Sequence, residues 1–153
     1  VNSVIQKEEV EKFQNEFRYE LVASPIESVN HISDALQRLV DARVDAVLLP
    51  SDSLIKANAD SIVLHLNKNK IPTIASIPDM VRDNKAFIGL GPDYFELGKV
   101  AAYKVLAILG GEKPNSIPSS PLERLHITVN LTTAKEIGVN VPVQILRIST
   151  VVK

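Results

Sequence analysis

The stretch VDAVLLPSDS, residues 44–53, joins a short apolar run to a polar turn. The run at residues 46–49 is too short for a helix and is apolar on both faces. A strand of a parallel sheet has this composition when helices cover both sides of the sheet. The polar residues after Pro50 are of the types that cap a following helix. The stretch therefore predicts a strand, a loop and a helix of an α/β protein.

The same alternation continues toward the C-terminus. Residues 55–66 carry apolar side chains at helical spacing, so this segment is predicted to be a helix. The further predicted elements are a strand at 73–75, a short helix after Pro78, a strand at 86–89, a helix from Asp93 to Gly110, a strand at 125–129 and a helix from Asn130 to Gly138. Prolines 114, 118 and 121 mark a loop, and the residues after Pro142 fit neither pattern clearly.

The residues before 44 fit the same scheme. Ser3 and Gln6 have the spacing of a capping box, which predicts a helix over residues 3–17. Residues 19–23 are predicted to form a strand, and Ser28 is predicted to cap a helix that reaches Val40. We therefore predict one α/β domain over residues 1–153, with a doubly wound, mostly parallel sheet of five strands.

The composition excludes several classes of protein. With 45% hydrophobic residues, 23% charged residues and a net charge of -1, the chain is an ordinary globular sequence without a basic stripe for nucleic acid. It has no cysteines, which excludes disulfides and thiolate chemistry. The longest apolar runs are about five residues, far short of the roughly 20 that span a bilayer. We therefore expect neither nucleic-acid binding nor a membrane span.

No catalytic or metal-binding motif is present in the sequence. The stretch Gly89-Leu90-Gly91 has Tyr94 where a dinucleotide-binding loop needs a third glycine. His31, His65 and His126 are far apart along the chain and are expected to be solvated or packed side chains. We therefore expect no catalytic residue, no metal site and no cofactor.

Polar residues follow three successive predicted strands. In open parallel sheets, ligands bind beyond the carboxyl ends of the strands, where loops lead into helix N-termini. Helix capping alone would also explain the Ser and Asp residues, but the ends of successive strands lie side by side and share one rim. Tyr94 could add an aromatic wall. The candidate ligand-binding residues are Ser51, Asp52, Ser53, Ser76, Asp79, Gly91, Asp93 and Tyr94.

At these loops the sequence resembles the ABC-transporter substrate-binding proteins, a family with tryptophan- and tyrosine-binding members. The resemblance follows the family's order and spacing over most of the chain. The segments that carry it are VDA (44–46) leading into PSDS (50–53), KIPTIAS (70–76), GLGPDYFELG (89–98), KP (113–114), IP (117–118) and VNLTTAKEIG (129–138). At positions 51 and 53 the family often has Thr and Asn where this chain has serines.

The resemblance implies a fold and a function. The fold is one lobe, the C-terminal one, of a type 1 periplasmic-binding protein whose two lobes close on a small molecule. The function is the capture of a solute, an aromatic or other amino acid, and its delivery to an ABC permease. The location implied is extracytoplasmic, in the periplasm or on the cell surface as a lipoprotein. No enzymatic activity is implied.

The resemblance also implies a missing strand. The family places a strand before the helix at Ser3, and a whole lobe before that strand. In the order 2-1-3-4-5, its absence would leave a slot between the strands at 19–23 and 46–49. Upstream residues, or the tail at 145–152 from this chain or a neighbour in a swapped dimer, would fill the slot. We therefore expect a fragment. Because a single lobe supplies only part of a ligand's contacts, we expect this fragment alone to bind its solute no tighter than roughly 1 mM.

Two other classes share this architecture. The effector lobe of a LacI-type transcription regulator is the alternative function, and the residues do not exclude it on physical grounds. A domain with Asp52 as phosphoacceptor fits less well, because Asp52 lies past the strand end and no lysine follows Val129 to hold a phosphate.

Overall fold

The computed structural model describes residues 2–120 and 125–153, and helices and short strands alternate along most of it. Pro121, the third proline of the predicted loop, lies outside the described residues. The helices are α1 (Asn2–Lys12), α2 (Gln14–Phe17), α3 (Ile32–Asp41), α4 (Ser53–Ala57), α5 (Ala59–Lys68), α6 (Asp79–Asp83), α7 (Tyr94–Leu109), α8 (Leu131–Ile137) and α9 (Val143–Ile148). The strands are β1 (Val47–Leu49), β2 (Thr73–Ala75), β3 (Ile88–Pro92), β4 (Leu125–Asn130) and β5 (Ser149–Val152).

The five strands form one sheet in the order β1-β2-β3-β4-β5. Three of the four strand pairs are parallel, and only β3 and β4 run antiparallel. Leu49 of β1 pairs with Ala75 of β2, and Ala75 pairs with Gly89 of β3, so the carboxyl ends of these strands lie at one edge. The prediction of a mostly parallel α/β sheet of five strands is confirmed, although one of the five is a different segment from the one predicted.

The apolar core lies between one face of the sheet and the helices packed on it. Leu49 and Ala75, which share this face, are almost fully buried. The helix residues of the core include Ile32 and Leu36 of α3, Ile55 of α4, Ala59, Ile62, Val63 and Leu66 of α5, and Met80 and Val81 of α6. This packing fixes the carboxyl ends of β1 and β2, from which the candidate site extends.

Residues 19–23 do not form the predicted strand. They belong to a segment, residues 19–26, that is neither helix nor strand. Beside β1, on the side away from β2, the described residues provide no strand for this segment to pair with. A strand needs a neighbour because its backbone amides and carbonyls must be hydrogen-bonded. Residues 19–23 also leave the free outer edge of β1 unpaired, so their β-forming composition alone does not place them in the sheet.

The C-terminal tail does not fill the slot beside β1. Residues 143–148 form α9, and residues 149–152 form β5. This strand pairs in parallel with β4, with Ser149 beside Ile127 and Val152 beside Asn130, at the edge of the sheet opposite β1. Of the fillers predicted for this slot, the tail of this chain is therefore excluded, because it pairs with the otherwise free edge of β4, while upstream residues or a neighbouring chain stay a prediction.

The predicted helix caps divide into two groups. Asn130 accepts a hydrogen bond from the Thr133 amide at 2.9 Å, and α8 ends at Gly138 with a φ of 80°, as predicted. Ser28, in contrast, makes no capping hydrogen bond, and a 3₁₀ turn (Val29–His31) comes before α3.

No helix within residues 2–120 and 125–153 is long and apolar enough to cross a membrane.

Candidate functional site

The loop between β1 and α4 is held by the carboxylate of Asp52. Its Oδ1 atom accepts hydrogen bonds from the amides of Leu54, at 2.9 Å, and Ile55, at 3.3 Å. Asp52 has extended backbone geometry, as the residue before a helix usually does. The capping role of this residue is therefore present, and it leaves the other carboxylate oxygen, Oδ2, for further partners.

Helix α1 is attached to the same loop through two side chains. The Ser3 hydroxyl donates to Oδ2 of Asp52 at 3.4 Å, and Oε1 of Gln6 accepts from the Ser51 amide at 2.9 Å. The prediction that Ser3 and Gln6 form a capping box is wrong, because both side chains hydrogen-bond to the β1–α4 loop. They bring the start of α1 to the edge of the sheet where the candidate residues lie.

A cavity of about 460 Å³ opens between α1, the β1–α4 loop and the β2–α6 loop. Its volume lies within the range of small-molecule sites. The lining residues are Asn2, Ser51, Asp52, Ser53, Lys56 and Ile77. A smaller cavity of about 250 Å³, lined by Pro25, Glu27, His31, Asp34 and Arg38, lies beside α3 and away from the strand ends. We place the candidate site in the larger cavity because it lies where open parallel sheets bind ligands.

The predicted residues of the second loop do not line this cavity. The Ser76 amide donates to the Leu49 carbonyl at 3.0 Å and so ties the β2 end to β1. Asp79 forms an ion pair with Arg82 at 3.1 Å, and both side chains are exposed. Ser76 therefore supports the neighbouring loop, while the Asp79 carboxylate is engaged within its own helix.

Gly91 allows β3 to approach the second loop closely. A Cβ atom at this position would lie 2.7 Å from Cδ of Pro78 and 2.8 Å from the Ser76 carbonyl oxygen. Both distances are far below van der Waals contact, so a larger residue would displace the loop that carries Ile77. Gly91 thus shapes the site through packing.

Asp93 and Tyr94 lie at the start of α7, outside the cavity. The Asp93 carboxylate accepts hydrogen bonds from the amides of Phe95, at 2.8 Å, and Glu96, at 3.2 Å. These bonds hold the pKa of Asp93 below its usual value, and the bond from the Glu96 amide has the largest effect. His126, whose Nε2 atom lies 3.5 Å from Oδ2 of Asp93, lowers this pKa as well. Tyr94 is exposed.

The predicted site is therefore brought together in part. Ser51, Asp52 and Ser53 line the cavity, Ser76 and Gly91 shape it, and the other three predicted residues lie elsewhere. Three lining residues were missed: Asn2, Lys56 and Ile77. Ile77 directly follows Ser76 and could have been found from the strand-end rule, whereas Asn2 requires the position of α1 to be known. In the described part of the chain, no three acidic or histidine side chains are grouped to hold a metal.

Two substitutions test whether α1 holds the β1–α4 loop, one at Gln6 of α1 and a control at Gln14 of α2. Gln6→Leu removes the acceptor of the Ser51 amide, and Gln14→Leu removes the acceptor of the Leu21 amide, which lies at 2.7 Å. Each variant is expected to lose about 1 kcal/mol of stability. Gln6→Leu should speed hydrogen exchange at Ser51 alone, and Gln14→Leu at Leu21 alone, as measured by NMR. Unchanged exchange at Ser51 in Gln6→Leu would show that α1 does not hold the loop.

Comparison with protein families gives a match over the whole chain. The profile of the family described as ABC transporter substrate binding protein matches residues 1–153. A "Tyrosine-binding protein" from Clostridioides difficile (strain R20291) is 31% identical over 135 residues, which are 88% of this chain and 39% of that protein. The profile match and this relative agree on one class of protein.

Solved structures share the fold at lower identity. A conserved domain protein from Vibrio cholerae superposes with a TM-score of 0.84 at 23% identity, over 99% of this chain and 51% of that chain. An ABC domain in complex with L-Trp from Streptococcus pneumoniae gives a TM-score of 0.82 at 23% identity, over 99% and 52%. The chain thus spans about half the length, or less, of the proteins that it matches.

Proposed function

This chain belongs to the ABC transporter substrate-binding protein family, and we propose that it is one lobe of an extracytoplasmic protein that captures an amino acid for an ABC importer. The complete protein, in the periplasm or held at the cell surface by a lipid anchor, closes its two lobes on the ligand and passes it to a permease. The lobe contributes binding contacts and no catalytic step.

Helix α7 is the observation that carries the proposal of two lobes. Its 16 residues include no buried side chain, although most of them are apolar. Tyr103, Leu106 and Leu109 are 69%, 62% and 78% exposed. A helix that is apolar nearly all round belongs in the core of a larger structure, because exposure of this surface to water is unfavourable. A second lobe that packs on α7 would bury it.

The free edge of β1 supports the same proposal. Within the described residues, β1 pairs only with β2, and its other side carries no strand. An unpaired edge with an apolar side chain such as Leu48, which is partly exposed, attracts further strands. In the proposed complete protein, a strand upstream of α1 occupies this edge.

The proposed class of ligand rests on the curated relative and on the cavity. The relative is a tyrosine-binding protein at 31% identity, so an aromatic amino acid is the proposed solute. The cavity at the strand ends is large enough for such a molecule and carries both polar and charged side chains. The effector lobe of a LacI-type regulator remains a weaker alternative, because the family profile that matches this chain is that of transport proteins.

Hydrogen exchange of α7 tests the proposal of two lobes. In the 153-residue chain alone, amides of α7 should exchange much faster than those of α5, whose inner face is fully buried. In the complete protein, α7 should become about as protected as α5. Mass spectrometry of peptic peptides from both proteins measures this difference. If α7 exchanges equally fast in both proteins, the second lobe does not cover it and the proposal is wrong.

A further inference from the structure

We propose that the cavity at the ends of β1 and β2 binds the charged head of the ligand, with Asp52 holding its ammonium group and Lys56 its carboxylate. This inference rests on the proposed function, since it assigns the part of an amino acid that this lobe recognises. It makes Lys56, which sequence reasoning did not select, a residue that determines specificity.

Asp52 keeps an acceptor for the ligand. Its Oδ1 atom is occupied by the two amides of α4, while from the described residues Oδ2 receives only the Ser3 hydroxyl, at the long distance of 3.4 Å. Each oxygen of a carboxylate can accept two hydrogen bonds, so Oδ2 has room for a stronger donor. The residue is partly buried, and there an opposite charge is attracted more strongly than it would be in bulk water.

Lys56 supplies the opposite charge in the same cavity. It lies four residues after Asp52, one helical turn further along, and both residues line the cavity. Among the described residues, its ammonium group forms no hydrogen bond and no ion pair, with Asp52 or with any other carboxylate. Two opposite charges thus face one cavity without neutralising each other, and a zwitterion placed between them would satisfy both.

The remaining lining favours the same class of ligand. Ser51 and Ser53 contribute hydroxyl groups that form no hydrogen bond with the other described residues. An anion would be repelled by Asp52, and a metal cation would be repelled by Lys56. A neutral sugar would hydrogen-bond to these side chains but would bring no charge opposite to either of them. The zwitterionic head of an amino acid places an opposite charge against each.

The test compares ligands that lack one charge. The complete protein is titrated by calorimetry with L-tyrosine, with tyramine, which lacks the carboxylate, and with 3-(4-hydroxyphenyl)propionate, which lacks the ammonium. L-tryptophan, tryptamine and 3-indolepropionate are titrated in parallel. Lys56→Gln is expected to lower the affinity for the amino acids about tenfold and to leave the affinity for the amines nearly unchanged. Asp52→Asn, which keeps a capping side chain, should lower the affinity for the amino acids and the amines but not that for the propionates.

Lys68→Gln is the matched control. Lys68 is an exposed lysine in the last turn of α5 that does not line the cavity, and its replacement should change no affinity. Suppose that the wild-type protein binds an amino acid. If Lys56→Gln then binds it equally well, or loses affinity for amines and amino acids to the same extent, this inference is overturned while the proposed function stands. If the wild-type protein binds none of the six compounds, the proposed amino-acid function is overturned, and the inference falls with it.

Discussion

Replacing Leu66 with alanine is expected to lower the free energy of unfolding by about 2–5 kcal/mol, because the side chain lies at the centre of the core. Leu66 is fully buried on α5, in the cluster that also includes Leu49 of β1 and Ala75 of β2. Its removal leaves a cavity directly beneath the strands that position the candidate site. Urea denaturation followed by circular dichroism measures the loss.

Leu64 provides the control on the same helix. Its side chain is 56% exposed, so Leu64→Ala should change the free energy of unfolding by no more than about 0.5 kcal/mol. Equal losses for the two variants would mean that α5 does not present Leu66 to the sheet, and the description of the core would be wrong.

The 153-residue chain alone is expected to bind L-tyrosine or L-tryptophan no tighter than roughly 1 mM, which corresponds to about 4 kcal/mol of binding free energy. The cavity is an open rim that contacts one side of a ligand, whereas tight small-molecule sites bury most of the ligand's surface. Closure of a second lobe should raise the affinity about a thousandfold, to roughly 1 μM. Isothermal calorimetry on the two proteins measures both values.

A monomeric 153-residue chain that binds either amino acid at micromolar concentration would contradict this expectation. It would show that the open rim at the ends of β1 and β2 is a complete site. Light scattering on the same sample establishes the oligomeric state, and it is needed because two chains packed through α7 could complete a site in another way.

The strands β1 and β2 could be predicted because their own residues and the residues that follow them indicate a strand. The runs at β1 and β2 are both followed by polar residues and pack on α5, so their local pattern and their tertiary environment agree. Residues 19–23 have a similar composition but pair with no strand, although the outer edge of β1 is free among the described residues. Pairing depends on a neighbour that local sequence does not reveal, and for this reason the prediction failed there.

The lining residues of the cavity could be predicted from the sequence mainly in the loop that directly follows β1. Ser51, Asp52 and Ser53 follow β1 directly and line the cavity. Asp93 follows β3 in the same manner, yet its carboxylate caps α7 and faces His126. Ser3 and Gln6 fit a local capping pattern but bind the β1–α4 loop, because the tertiary position of α1 offers them those partners.

Titration of the complete protein with single amino acids decides whether this chain is the amino-acid-binding lobe of a two-lobed transport protein. We expect saturable binding of an aromatic amino acid with a dissociation constant near 1 μM, and affinity about a thousandfold lower in the 153-residue chain. Absence of binding to every amino acid, or binding of equal strength to the complete protein and to the 153-residue chain, would contradict it.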